Sequence, residues 1–341
     1  MKKLLFGLAL TTLFASCNNQ IPEKVNSKTA QKIQIKGDAQ GTYYAITYYD
    51  TLNRNLKTNI DSLLLSFDLS ASNYVDSSII SKVNANIPVK LDDVFIGNFL
   101  LSQEISENTN GDYDITVRPL VELWGFGKKE PKKVKASEVN EILKFIGYKK
   151  VHLINNTIIK DDKRIQLDYN AIAQGYSVDV VARYLKTHGI ENFLVDIGGE
   201  VYASGRKDDS SLWQVGIERP KDNEKYGEAL TAIVKLKDRG MATSGNYRKF
   251  YIQDGVKYSH EIDPHTGYPA KQNLLSATVF AVDAAHADGY ATAFMVMGFE
   301  KAKDYIAKHS EMDAFFIYTD SSGSYKYFYT QNLKKNLEME Q

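Results

Sequence analysis

Two oxygen-bearing side chains late in the sequence have a spacing that chemistry can use. In the run Asp283-Ala-Ala-His286-Ala-Asp288-Gly-Tyr-Ala-Thr292, Asp288 and Thr292 are four residues apart. A helix over this stretch puts the carboxylate and the hydroxyl on one face. Oxygen donors of this kind suit a hard cation such as Mg²⁺, which keeps further water or phosphate ligands. The same pair also fits an acid favoured by a helix N-terminus and a threonine packed in a core. The spacing alone does not choose between them.

Three other segments carry candidate groups. Gln166-Leu-Asp168-Tyr-Asn170-Ala171-Ile-Ala-Gln174-Gly175 leads on to Asp179. It reads as a strand ending in an acid, a small-residue turn and a helix start. Backbone N–H groups at such a start can hold an anion, with the acid placed for a ribose or base edge. A capped helix with a packing glycine has the same pattern. Gly111-Asp112-Tyr113-Asp114 runs through Pro119 to Trp124-Gly-Phe126-Gly127, mixing acids with aromatic rings as a ring-binding loop does, or as a strand-turn with a buried Trp does. Ala242-Thr243-Ser244-Gly245 precedes Ser259-His260-Glu261-Ile262-Asp263-Pro264-His265-Thr266-Gly267, whose second half is turn chemistry. His260, at a strand end, is the strongest general-base candidate of the six histidines. His286 is a weaker rival, and His152, His188 and His309 lie in surface-like contexts.

The elements that must position these groups can be read from periodicity. Ile35 to Tyr49 predicts a strand or hairpin around Gly41. Apolar spacing predicts helices over 58–69, 91–108, 137–146 and 172–187, and one from the cap Asp283 to about Met297. A hairpin is expected over 151–167, turning at Asn155-Asn156, and another over 315–329 with Ser321-Ser322-Gly323 at its tip. Strands at 193–197, 201–203, 213–217, 232–236, 250–252 and 276–282 complete the pattern. Helices and strands are interspersed without strict βαβ alternation, so the expected class is α+β, one large catalytic domain over residues 35–331 with a polar tail at 332–341.

The N-terminus predicts the compartment. Lys2 and Lys3 precede an apolar run, Leu4 to Phe14, shorter than the ~20 residues of a spanning helix and suited to a signal-peptide core. It ends in Ala15-Ser16-Cys17, and Cys17 is the sole cysteine, which excludes an intramolecular disulfide and any cysteine-based centre. The pattern resembles a bacterial lipobox, with residues 1–17 as leader, Cys17 lipidated and 18–34 a flexible tether of at most roughly 55 Å. Charges balance at 42 Lys+Arg against 42 Asp+Glu, and a basic excess for nucleic-acid binding is missing.

Taken in order, Gly41-Thr42-Tyr43, Ser72-Asn73-Tyr74, the block ending Trp124-Gly-Phe126-Gly127, Asp168 to Asp179, Asp196-Ile197-Gly198-Gly199, Ala242 to Gly245, Ser259 to Gly267 and Ala287 to Thr292 resemble the ApbE family of FAD:protein FMN transferases, over roughly residues 38–300. That resemblance implies FAD contacts at Gln40, Tyr74, Asp112, Tyr113, Asp114, Asp168, Gln174, His260 and Ile262, with Asp168 at the adenosine end. It implies Mg²⁺ held by the main-chain oxygen of Ala171 and the side chains of Asp288 and Thr292. The sequence departs from the family, which often has Met at Gln40, glycines at Asn170 and Ala171, Lys or Glu at Gln174 and a hydrophobic residue at Glu261. The implied reaction moves FMN onto a threonine of an acceptor protein and releases AMP, with His260 as base and Asp288 or Asp263 as rivals. The expected acceptor is an electron-transport subunit, and the expected place is the periplasmic side of the inner membrane. Hydrolysis of FAD to FMN and AMP, or flavin binding without chemistry, are the alternatives.

Overall fold

The computed structural model describes residues 29–127, 132–220, 229–246, 250–253, 256–271 and 273–340. The chain opens with a hairpin, β1 (Gln31–Ala39) and β2 (Thr42–Asp50), followed by α1 (Lys57–Ala71), α2 (Ile79–Asn84), α3 (Asp93–Asn108), α4 (Arg118–Leu123) and α5 (Ala136–Leu143). A small hairpin, β3 (Val151–Ile154) and β4 (Thr157–Lys160), leads to α6 (Ala173–Thr187). Then come β5 (Phe193–Ile197), β6 (Glu200–Ser204), β7 (Trp213–Glu218), β8 (Leu230–Leu236), β9 (Arg239–Gly245), β10 (Phe250–Gln253), β11 (Val256–Ser259) and β12 (Leu274–Ala281). The chain ends with α7 (Ala284–Met297), α8 (Phe299–Ile306), β13 (Asp313–Thr319), β14 (Tyr325–Tyr329) and β15 (Leu337–Met339). Helices and sheets share one domain, the α+β class expected.

An eight-stranded antiparallel sheet in the order β1-β2-β5-β6-β9-β12-β13-β14 is the backbone of the fold. Its side chains alternate between two covered faces. Ala277 and Val279 of β12 and Ala314 and Phe316 of β13 face a helical core, while Phe280, Phe315 and Ile317 face the three-stranded sheet β15-β8-β7. In β2, Tyr44, Ile46 and Tyr48 pack with α1 and α6, and Tyr49 points to the opposite layer. Each fully buried large side chain contributes about 1.5–3 kcal/mol, so the central strands are fixed in register by both faces.

α7 is the buried hub. Twelve of its residues are buried, on every face, as expected of a helix that is apolar all round. Glycines let its N-terminus seat between two neighbours. A Cβ on Gly175 of α6 would stand 2.4 Å from the Ala284 oxygen, and one on Gly240 of β9 would stand 2.1 Å from the Asp283 carbonyl carbon.

Several boundaries are corrected. The tether does not reach residue 34, because Gln31 to Gln34 already pair with Asp50 to Thr47. The 332–341 segment is not a loose tail. Leu333 is buried and β15 adds an antiparallel strand to β8, so its alternating apolar residues were the overlooked signal. The hairpin expected over 151–167 stops at Lys160; Asp162 then turns the chain by accepting from the Arg164 N–H, and Gln166 bridges to Val117. The Gly- and Pro-rich block contains α4, started by Pro119 in its first turn. β9, α2 and α8 were not anticipated.

Candidate active site

Asp283 caps α7 by accepting the His286 N–H at 2.8 Å. The two preceding N–H groups, Ala284 and Ala285, donate to Asp179 of α6 at 3.0 and 2.8 Å. The arrangement is reciprocal. α6 begins at Ile172 without a side-chain cap, and its Gly175 N–H donates to Asp288 of α7 at 3.0 Å. Each helix thus satisfies the other's orphan donors. Asp288 is buried, and desolvation pushes its carboxyl up to about 7, opposed by the Gly175 N–H. Asp179 is likewise raised to about 7, first by burial and then by the neighbouring Asp283 charge.

Thr292, one turn along α7, stands 3.3 Å from the Ser244 hydroxyl at the end of β9. Ala171 lies in the turn before α6, where Ile172 and Ala173 N–H donate to the Tyr169 carbonyl. No group of three or more His, Cys, Asp or Glu side chains suited to a metal occurs among the described residues. A cation here would therefore draw on one carboxylate, one hydroxyl and a main-chain oxygen. That all-oxygen set, with a buried carboxylate lacking a countercharge, fits Mg²⁺.

Asp168 anchors a second cluster. Its carboxylate accepts Asn73 Nδ2 at 3.0 Å, the Asn170 N–H at 2.9 Å and Arg118 Nη1 at 3.2 Å, and burial raises it. Arg118 also pairs with Glu122 at 2.7 Å. With three hydrogen bonds already accepted, the first task of Asp168 is to fix the turn and α4. Tyr74 beside it is 56 % exposed, its phenol raised chiefly by burial and then by the Asp168 charge. A cleft of about 780 Å³ adjoins this cluster, lined in part by Asn73, Asp76, Arg118, Glu122 and Arg164.

Aromatic rings form a third wall. Trp124 stacks on Tyr258 at 5.6 Å and donates its indole N–H to the Gly267 carbonyl, and Phe126 meets Tyr251 and the edge of His260. Asp263 folds the loop by accepting the His265 N–H and the Thr266 hydroxyl, so it is occupied by the turn. Asp112 pairs with His265 at 3.1 Å, docking the loop on the segment after α3. Tyr113 and Asp114 point their side chains inward. Both are buried: Tyr113 meets the Ser102 hydroxyl, and Asp114 accepts from Thr116 and the Tyr148 N–H, burial raising its carboxyl. Their side chains build the wall from within. His260 remains 38 % exposed with Nδ1 3.5 Å from Glu261, and Ile262 behind it is buried. The rival His286 is tied to Asp283 at 2.7 Å.

Gln40, at the β1–β2 tip with φ +55°, accepts from Ser177 at 3.1 Å, while its Nε2 is buried without a hydrogen-bond partner. That orphaned donor fits an acceptor-rich ligand such as the FAD pyrophosphate. Gln174 donates to the Ile197 carbonyl at 2.9 Å and so ties α6 to β5. Ser177, Asp179, Ser244 and Gly240 were given no role by the sequence reading; their partners lie far off in the chain, and no local spacing marks them. Cys17 lies outside the described residues.

The family model of the ApbE family matches residues 40–316. A Vibrio cholerae protein named FAD:protein FMN transferase is 34 % identical over 336 residues, covering 96 % of this chain and 97 % of the relative. An Escherichia coli K12 protein of the same name is 32 % identical over 345 residues, covering 98 % and 97 %. Among solved structures, the flavin transferase ApbE of Vibrio cholerae superposes with a TM-score of 0.80 at 33 % identity, covering 90 % of this chain and 99 % of that one. The apo flavinyl transferase ApbE of Pseudomonas stutzeri gives 0.80 at 30 % identity, covering 90 % and 97 %. With its fold, its motif order and this near full-length similarity, the chain belongs to the ApbE family.

Proposed function

We propose that this protein is a FAD:protein FMN transferase that uses Mg²⁺ and a threonine acceptor. The observation that carries the reading is the buried Asp288 carboxylate, one turn from Thr292, at the place where α6 and α7 cap each other. Ala171, Asp288 and Thr292 would hold the cation, which would supply positive charge to neutralise the pyrophosphate and the leaving phosphate. Gln40 Nε2 and the α6 start face the phosphates, and Tyr74 with the Trp124–Tyr258 wall offers ring surfaces for the flavin and adenine.

His260 takes the proton of the acceptor hydroxyl, which attacks the FMN-side phosphorus. The P–O bond to the bridging oxygen breaks, and AMP leaves with that oxygen. His260 lies on the aromatic wall beside Phe126, which is what favours it as the base.

The test is incubation with FAD, MgCl₂ and an acceptor carrying a flavinylation-motif threonine. A fluorescent acceptor band that survives denaturing electrophoresis, with AMP in equal amount, is the expected result. Free FMN with an unlabelled acceptor makes the protein a hydrolase, and unchanged FAD makes it a binder. The reading includes export, lipid attachment at Cys17 and an electron-transport acceptor at the periplasmic face of the inner membrane. No helix among the described residues is long and apolar enough to cross a membrane. Labelling by a palmitate analogue, lost in Cys17→Ala, checks the anchor.

A further inference from the structure

Glu261 is a buried acid that the reaction outlined above does not use. Its side chain is 3 % exposed, and neither carboxylate oxygen has a hydrogen-bond partner. An ionisable group in this condition is costly to a fold unless a countercharge or donor reaches it. The group that reaches it is the next residue in the chain. His260 Nδ1 lies 3.5 Å from Glu261 Oε1, while the imidazole is 38 % exposed on the aromatic wall.

We propose that Glu261 is the positioning residue of His260: it accepts the Nδ1 proton, fixes the tautomer with Nε2 toward the acceptor hydroxyl, and stabilises the imidazolium formed during transfer. The inference rests on the reading of His260 as the base. A base oriented by a third group is the general solution for activating a hydroxyl nucleophile, and such contacts are commonly long before substrate binds. The proton count is simple. The acceptor O–H proton moves to Nε2, the new O–P bond forms as the bond to AMP breaks, and the imidazolium later returns its proton to the departing phosphate or to water.

Other titratable groups lie on the same loop and on the aromatic wall. On the loop, Asp263 is held by His265 and Thr266, and His265 by Asp112. On the hairpin, Tyr251 stacks on Tyr258, over which Lys271 sits at 5.7 Å. Glu261 is the carboxylate that stands beside His260 Nδ1, at 3.5 Å.

Removing an anion within about 4 Å of an imidazole lowers its pKa by roughly 1–3 units. In the full-length protein with FAD, MgCl₂ and acceptor, Glu261→Gln should move the acid limb of the kcat/KM profile down by about one pH unit. The plateau should fall about tenfold, as a weakened base predicts, with KM for FAD little changed. Glu261→Asp, which keeps the charge, should restore much of both. NMR titration of the His260 ring without substrate should show the same shift. An unmoved His260 titration, or a moved titration with an unmoved rate profile, overturns the proposal. Full transfer by His260→Ala would instead sink the base assignment while leaving the Glu261–His260 coupling to be read by NMR. Retention of the wild-type melting temperature in Glu261→Gln shows that the loss is not one of folding.

Discussion

Replacing Asp288 by Asn separates its two tasks. The amide oxygen can still accept the Gly175 N–H, so the junction of α6 and α7 survives, but the charge that would hold a cation is gone. Burial raises the Asp288 carboxyl from 3.8 to about 7. At about 1.4 kcal/mol per unit, keeping it ionised above pH 7 costs the metal-free fold up to about 4 kcal/mol. Local relaxation and the desolvation of the amide reduce the net gain to about 1–2 kcal/mol, or a melting temperature about 3 °C higher for a chain of this size. The sign follows from the raised value. The folded state holds a proton that the unfolded state releases between pH 3.8 and 7, so wild-type stability falls as pH rises through that window. The advantage of Asp288→Asn should vanish near pH 4 and be full at pH 8. Mg²⁺ should reverse the order, since a cation at a hundred times its Kd adds about 2.7 kcal/mol to wild type alone. Thermal melts from pH 4.5 to 8.5, in EDTA and in MgCl₂, read all of this. A wild type more stable than Asp288→Asn at pH 8 in EDTA, or equal Mg²⁺ shifts in both proteins, would refute the reasoning.

Gly175→Ala places a methyl 2.4 Å from the Ala284 oxygen and 2.8 Å from the Asp288 Cβ. It should lower stability by about 1–3 kcal/mol in urea denaturation, with loss of any Mg²⁺ response. Asp168→Ala leaves Asn73 and the Asn170 N–H without their acceptor and removes one partner of the buried Arg118. About 3 kcal/mol should be lost by the same assay, with weaker FAD binding by fluorescence quenching. Tyr74→Ala removes a half-exposed ring, so its melting temperature should hold while FAD affinity falls; a large destabilisation would show the ring to be structural. Arg54 holds the Asp50 carboxyl down at about 2, a stabilising contribution that solvent screening at the partly exposed Arg54 keeps small. That contribution should be present above pH 4 and lost as pH falls toward 2, and chemical denaturation of Asp50→Asn against wild type should show the difference closing over that range.

What the sequence disclosed depended on how local the physics was. The β1–β2 hairpin around Gly41, the β13–β14 hairpin with its Gly323 tip and the Asp283 cap of α7 are decided by residues within a few positions of each other, and these were legible. The Asp288–Thr292 pair was legible as a spacing, but its surroundings were not, because they are made of contacts that span the chain. Asp179 reaches Ala284 across 105 residues, and Gly175 reaches Asp288 across 113. The same distance hid the structural partner of Asp168, Arg118, which sits in a helix inside what reads as a Gly- and Pro-broken loop. The burial of Tyr113 and Asp114 was hidden too: acids and rings beside turn glycines look like an exposed loop, and packing against Ser102, Thr116 and Tyr148 turns their side chains inward. β9, Arg-Gly-Met-Ala-Thr-Ser-Gly, has little strand propensity of its own. It is a strand because β6 and β12 pair with it on either side.

The crossed capping of α6 and α7 bears on why a charge stands at their junction. Closing two helix starts requires acceptors, and neutral ones suffice; Asn and Ser cap as well as Asp does. Asp179 accepts two N–H groups, which uses both carboxylate oxygens and gives the acid a structural reason. Asp288 accepts one, from Gly175, and burial opposes its charge as well. Its second oxygen and its charge exceed what capping needs. The glycines at 175 and 240 hold the start of α7 too close to its neighbours for that charge to relax toward solvent by a backbone shift. A rigid, desolvated carboxylate one turn from a hydroxyl is a poor stabiliser and a good cation ligand. Capping therefore accounts for the acceptor at position 288 but not for its charge, and that surplus is what the Asp288→Asn melts in EDTA and in MgCl₂ read.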